Sequence, residues 1–134
     1  MIIISEVKKF SAGLLAIADG KVLLGFRSST VDNPHTWAVI GGGSEKGETP
    51  SQTAKREFKE ETKFEGSLNI SPVYLDERKK DYHVFKAQVA KFEAKVDDEN
   101  DRFGWFTLAE VKELKQKHFG IRRLLDARVF ENIL

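Results

Sequence analysis

The chain has 134 residues, of which 40% are hydrophobic and 32% charged, about the size of one globular domain with a core of its own. Its 22 Lys and Arg nearly cancel 21 Asp and Glu, so overall charge gives no support for coating a nucleic acid or a membrane surface. It holds no cysteine, which excludes disulfide frameworks, zinc-thiolate centres and thiol nucleophiles.

Met1-Ile2-Ile3-Ile4 is too short an apolar run for a signal peptide or a membrane span, so a cytoplasmic protein is expected. The prolines at 34, 50 and 72 stand singly and no repeat or linker appears, so residues 1–134 are expected to form a single domain. Residues 10–18 and 21–26 are apolar runs joined by Asp19-Gly20, the signature of a type I′ hairpin, whose two central residues need positive φ. After a polar loop, Trp37-Ala38-Val39-Ile40 reads as one short buried strand that delivers the chain into a loop of three glycines, Gly41, Gly42 and Gly43.

Thr49-Pro50-Ser51-Gln52 supplies an N-cap, a proline for the first helical position and a capping-box glutamine, predicting a helix over residues 50–63. On it Ala54, Phe58 and Thr62 form a stripe for packing. Beside that stripe, Glu57, Glu60 and Glu61 fall within an arc of about 100° at ~100° per residue. Three carboxylates converging beside a helix repel one another, and a hard divalent cation with oxygen ligands turns that repulsion into binding. Farther on, residues 67–75 and 82–91 read as strands around a charged turn that includes Arg78-Lys79-Lys80, a solvated tip or a steering patch for polyphosphate. Gly104-Trp105-Phe106 reads as another strand. Thr107-Leu108-Ala109-Glu110 is a second capping box, and residues 119–132 carry the apolar spacing of one terminal amphipathic helix. Phe130, Ile133 and Leu134 either close the core or join two copies, leaving monomer and homodimer both open. Strands interrupted by helices imply an α/β fold, a mixed sheet covered by helices.

At this point the residues resemble a known family. Gly42, Glu48, Arg56, Glu57, Phe58, Glu60, Glu61 and Phe64 fill eight of the nine positions of the Nudix box, G-x5-E-x7-R-E-U-x-E-E-x-G-U with U bulky and apolar. From average residue usage such a match arises by chance on the order of 10⁻⁴ or less. The missing position is Lys63 in place of glycine, which puts the ending of the helix in question, and Ile40 stands where many members have proline. Trp37 and Gly104-Trp105-Phe106-Thr107-Leu108 are similar to flanking landmarks of the family.

The resemblance implies a Nudix α/β/α sandwich with a mixed, curved sheet between helices. It also implies a pyrophosphohydrolase that cuts a nucleoside diphosphate linked to another group: a nucleoside triphosphate, a dinucleoside polyphosphate or a nucleotide sugar, with an RNA 5′ end as a further case. The implied cofactor is Mg²⁺ or Mn²⁺, held by Glu57, Glu60 and Glu61 with the carbonyl of Gly41. Arg56 orients a carboxylate, Glu48 supports the site by bracing the loop or assisting metal binding, and Gly42 and Gly43 let the main chain approach the pyrophosphate. Glu99, six residues before Trp105, is similar to the loop glutamate of MutT-like members and is the favoured extra ligand or base, with Glu57 as the other candidate base and Asp98 and Asp101 in reserve. Arg27 is placed to meet a substrate phosphate and otherwise makes a surface ion pair; Trp37 stacks on the substrate or joins the core. His35, His83 and His118 show no metal-ligand pattern. A Nudix-fold module that binds a nucleotide without cleaving it is the alternative, and it would not need the helix glutamates.

Overall fold

A computed structural model describes residues 9–78 and 81–134 of the chain. Lys79 and Lys80 of the charged turn, and the first eight residues, lie outside the described residues.

The chain opens with β1 (Phe10–Ala18) and β2 (Lys21–Arg27), joined at Asp19 and Gly20 with φ of 52° and 71°, as the turn chemistry requires. The two strands pair with each other only beside the turn, at Ile17↔Val22 and Ala18↔Lys21, and then splay apart. The wedge between them is filled by what the sequence suggested was one strand and a glycine loop. It is two strands instead: β3 (Trp37–Ala38) pairs with β2, and β4 (Ile40–Gly43) pairs with β1 from Ser11 to Leu14. Val39 is the point at which the chain changes partner, and its side chain sits in the space left by the absent Cβ of Gly13.

Helix α1 (Pro50–Thr62) begins with both hydrogen bonds of the Thr49/Gln52 capping box and with Pro50 in its first turn. It stops at Lys63, which takes a left-handed conformation at φ 63° and sends its N–H to the Lys59 carbonyl, a role more often filled by glycine. Strand β5 (Ile70–Asp76) is antiparallel to β6 (Asp81–Gln88), and β6 runs parallel to β1 from Phe10↔Asp81 to Ile17↔Gln88. Strand β7 (Asn100–Phe106) starts four residues earlier than its Gly-Trp-Phe signal and pairs with β2. Among the described residues the mixed sheet has seven strands.

Three short helices follow: α2 (Leu108–Glu113) with its Thr107/Glu110 capping box, α3 (Phe119–Asp126) and α4 (Val129–Ile133). The continuous terminal helix expected from apolar spacing is thus broken, because Arg128 adopts φ 57° and starts a new helix. The break turns Val129 and Phe130 inward alongside Ile121 and Leu124, all buried. Ile133 and Leu134 pack on the same cluster and so close the core.

Alternation along β1 sorts the core into two layers. Leu14 joins Leu23, Ile40, Phe85 and the α1 residues Ala54 and Phe58 on one face of the sheet. Leu15 joins Val22, Leu24 and Val84 with Val111, Ile121 and Phe130 from the later helices on the other. The sheet is therefore sandwiched between helices. None of the described helices is long and apolar enough to cross a membrane.

Candidate active site

Helix α1 packs on β1 and β4 through Ala54 and Phe58, which turns Glu57 and Glu61 toward the β4 edge. Gly42 makes this possible. A Cβ at that position would lie 2.6 Å from the Glu57 carboxyl carbon, so the glycine opens a seat for the carboxylate. Gly41 has a different reason for being glycine, since its Cβ would strike the Ala12 carbonyl and Gly13 of β1. Only Gly43 of the three faces open space.

Arg56 is the hub that holds the carboxylates. Its Nε and Nη2 donate to the two oxygens of Glu48 at 2.7 and 3.0 Å, its Nη1 donates to Glu57 at 2.9 Å and Glu60 at 3.1 Å, and Nη2 also reaches the Gly43 carbonyl at 3.0 Å. Glu48 in turn accepts from Thr53 Oγ1 and from the Glu45 N–H, both at 2.8 Å. The Arg56 guanidinium is the main reason that the Glu48 carboxyl is held down to about 2. Glu48 therefore ties the 44–49 loop to the helix.

One oxygen from each of Glu57, Glu61 and Glu99 lies within 4.8 Å of the others. That spacing gathers three carboxylate oxygens around one point where a hard divalent cation would be held. Glu61 is buried, and its Oε2 has no hydrogen-bond partner. Burial first, and then the charges of Glu99 and Glu57, push its carboxyl well above the usual carboxylate range. Burial and the charge of Glu57 raise Glu99 as well. An orphaned buried oxygen inside a group of mutually repelling carboxylates suits a divalent cation in chemistry and in spacing. Glu60 does not join them. It is exposed and turned to Arg56.

Glu99 reaches the helix because its loop is clamped to the end of β2. The Asp98 carbonyl accepts from Ser28 Oγ at 2.7 Å and Thr30 Oγ1 at 2.9 Å, and the Glu99 carbonyl accepts from the Ser28 N–H at 2.9 Å. Asn100, next in the chain, is buried and donates to Glu61 at 2.8 Å, its side chain filling the space over Gly25. Asn100 was not anticipated; the available signal is an amide embedded in the acidic run 97–101.

Beside the glycines lies a cleft of about 580 Å³ whose lining includes Arg27, Val39, Gly42, Tyr82, His118 and Arg123. Arg27 faces it but is engaged by Asp32, through Nη2 to the carboxylate at 2.6 Å and Nε to the carbonyl at 2.8 Å. Trp37 is outside the cleft lining and packs its ring against Phe26 and Phe106 at centroid distances of 5.1 and 4.8 Å. Its backbone matters more to the cleft: Trp37 N–H donates to Gln116 and its carbonyl accepts from His118, which brings the start of α3 to the rim. His118 caps α3 through Nδ1, which accepts from the Gly120 N–H at 3.0 Å. Burial, helped by the charge of Arg27, pushes the His118 ring down to about 4, so it is neutral at physiological pH. Its capping role had no sequence signal, because it depends on where α3 begins.

A family profile for the NUDIX domain matches residues 7–127, and the chain belongs to that family, the Nudix hydrolases. No curated protein matches it significantly. Among solved structures the fold is similar to a hydrolase of the NUDIX family from Clostridium perfringens, at 17% identity and TM-score 0.73 over 96% of this chain and 100% of that one. It is equally similar to a MutT protein from Methanosarcina mazei Go1, at 19% identity and TM-score 0.73 over 98% of each chain. A third likeness is to a bifunctional NMN adenylyltransferase/ADP ribose pyrophosphatase from Francisella tularensis, solved with AMP and a manganese ion, at 20% identity and TM-score 0.65 over 93% of this chain and 43% of that one.

Proposed function

We propose that residues 1–134 form a single Nudix domain that hydrolyses a pyrophosphate bond in a nucleoside diphosphate linked to another group, using Mg²⁺ or Mn²⁺. A nucleoside triphosphate, a dinucleoside polyphosphate and a nucleotide sugar all contain that bond. The observation that carries the reading is the Glu57, Glu61 and Glu99 cluster, with Glu61 Oε2 buried and unpartnered. The nucleotide and manganese bound to the Francisella tularensis protein lend support from a similar fold. The protein works in this reading as a cytoplasmic enzyme on a small molecule, as a monomer or homodimer.

Glu57, Glu61 and Glu99 would hold the cation, with the Gly41 carbonyl as a further oxygen donor. Bound there, a divalent ion neutralises phosphate oxygens and acidifies water. Arg56 fixes the Glu57 rotamer and keeps Glu60 aside. Glu99 or, as the next candidate, Glu57 accepts the proton of the attacking water, each being a carboxylate at the cluster. Gly43 leaves open space for a phosphate to approach the main chain, and Arg27, once released from Asp32, can meet a second phosphate oxygen.

The test is release of phosphate or nucleoside monophosphate from a nucleotide panel with Mg²⁺, Mn²⁺ or EDTA. Glu57→Gln and Glu61→Gln are expected to lower kcat by about 10²-fold or more, and Glu60→Gln by much less. Tight nucleotide binding without metal-dependent turnover across the panel would overturn hydrolysis and establish a binding module.

A further inference from the structure

We propose that the end of the cleft farthest from the glycines takes a second phosphoryl group of the substrate, one outside the bond that is cut, through the guanidinium groups of Arg123 and Arg78. The inference rests on the nucleotide reading above and names the chemistry of its substrate more closely.

The strand registers lay out the cleft floor. Gly43 is opposite Ser11, Ser11 is opposite Tyr82, and Tyr82 is opposite Asp76, a row across β4, β1, β6 and β5. Residues directly opposite one another share a face, and three strand spacings of ~4.8 Å put Asp76 about 14 Å from Gly43 along the row. The row faces the α3 side of the sheet, and the cleft runs along it from β4, whose Gly42 seats Glu57 on the other face, to a second end at Asp76, Arg78 and Arg123.

At that end Asp76 is buried, and both of its oxygens are spent on arginine. Oδ1 accepts from the Arg78 N–H and Nε at 3.0 Å, while Oδ2 accepts from Arg78 Nη2 at 2.7 Å and lies 3.2 Å from Arg123 Nη1. The carboxylate is a holder of the two cations and has no free capacity to read a ligand. Arg123 is also steadied from another direction, with its guanidinium carbon 4.9 Å from the Phe119 ring centroid. Beyond these contacts the Arg123 guanidinium has no hydrogen-bond partner among the described residues, so its other N–H donors remain for a ligand.

The ion pairing points the same way. Arg27 is paired with Asp32, whereas Arg78 and Arg123 are both paired with the one carboxylate of Asp76. Neutral His118 adds no charge. A rigid planar guanidinium fork fits a phosphoryl group, and the Phe119 face covered by Arg123 is unavailable for base stacking. Such a phosphoryl group arrives either as a 3′-phosphate on the nucleoside or as a distal phosphate of a dinucleoside polyphosphate chain.

Titration calorimetry in EDTA separates the cases. The probes are adenosine 5′-phosphate, adenosine 3′,5′-bisphosphate and diadenosine tetraphosphate, on the wild type, Arg123→Gln, Arg123→Lys and Arg78→Gln. At least one of the bisphosphate and tetraphosphate probes is expected to bind about tenfold or more tightly than the monophosphate, with that preference lost in Arg123→Gln and reduced in Arg78→Gln and Arg123→Lys. Preference for the bisphosphate identifies a 3′-phosphate; an Arg123-dependent preference for the tetraphosphate alone identifies the chain. Equal affinities in the wild type, or a preference that survives in both glutamine variants, would overturn the proposal. Arg78 is largely exposed, so its variant reports even if Arg123→Gln unfolds. Because neither metal nor turnover enters this measurement, a preserved preference without any hydrolysis would sink the pyrophosphatase reading alone. Hydrolysis without the preference would sink only the second site.

Discussion

The Asn100 amide donates from Nδ2 to Oε1 of Glu61 at 2.8 Å, joining the acidic loop to the last turn of α1 across 39 residues of chain. This single donor occupies one oxygen of Glu61 and leaves the other, Oε2, as the unpartnered atom. Hydrogen-bond donation to the charged form also opposes the burial that raises the proton affinity of the carboxyl. Replacing Asn100 by Leu or Ala should therefore weaken Mn²⁺ binding at neutral pH by about 10–100-fold, the usual cost of losing a partner that orients a ligand. Calorimetric titration of Mn²⁺ measures it, and unchanged affinity would show that Glu61 needs no such support.

Gly41 and Gly42 are adjacent but guard different things. At Gly42 an added Cβ meets the end of a side chain, Glu57, which can shift; at Gly41 it meets the backbone of β1, which cannot. Gly42→Ala should lower activity far more than stability. Gly41→Ala should destabilise by about 1–3 kcal/mol, as overpacked cores do. Urea midpoints and kcat, taken on both variants, decide whether the two effects separate in this way.

Lys63→Gly is expected to stabilise the fold. The residue is exposed and held at φ 63°, where a side chain costs about 1 kcal/mol and glycine costs none. Its ammonium bond to the Glu60 carbonyl at 2.6 Å is on the surface and returns little of that. A rise in melting temperature of about 4 °C is the expected result, and a fall would mean that the lysine side chain contributes more than its backbone costs.

Acid should act on Glu48 in a defined window. The folded carboxyl is held at about 2 by Arg56, below its ordinary 4.5, so protons bind it more readily in the unfolded chain. Its contribution is fully present above pH 4.5 and is lost as pH falls toward 2. Glu48→Gln should therefore cost stability at pH 6, and its difference from the wild type should shrink steadily between pH 4.5 and 2. Denaturant midpoints across that range test the sign; a gap that widens on acidification would refute the pairing as the cause.

The helix part of the site is legible because periodicity is local. Glu57 and Glu61 sit about 40° apart around α1 and must neighbour each other once the helix forms. Glu60 shows the limit of that reasoning, for it lies about 60° to the other side of Glu57 and about 100° from Glu61. Which flank meets the loop bearing Glu99 depends on how α1 packs, and that packing leaves Glu60 in solvent with Arg56. Two further features escape pattern reading for a similar reason. The change of partner at Val39 breaks no apolar run, and the left-handed turn at Arg128 carries no Gly, Pro or Asn to announce it. The Asp76, Arg78 and Arg123 group joins the end of β5 to α3, so its members meet only through tertiary structure.

The splayed hairpin of β1 and β2 has a consequence for how this scaffold could change its substrate. Between the diverging strands the cleft floor is built mainly from main chain, with Ala38, Gly41 and Gly42 locked by ladders between backbone groups. The walls are independent of those ladders, since His118 and Arg123 come from α3 and its N-cap. Depth and position of the cavity are thereby inherited from strand pairing, while its selectivity can be rewritten one wall residue at a time at little cost to the floor.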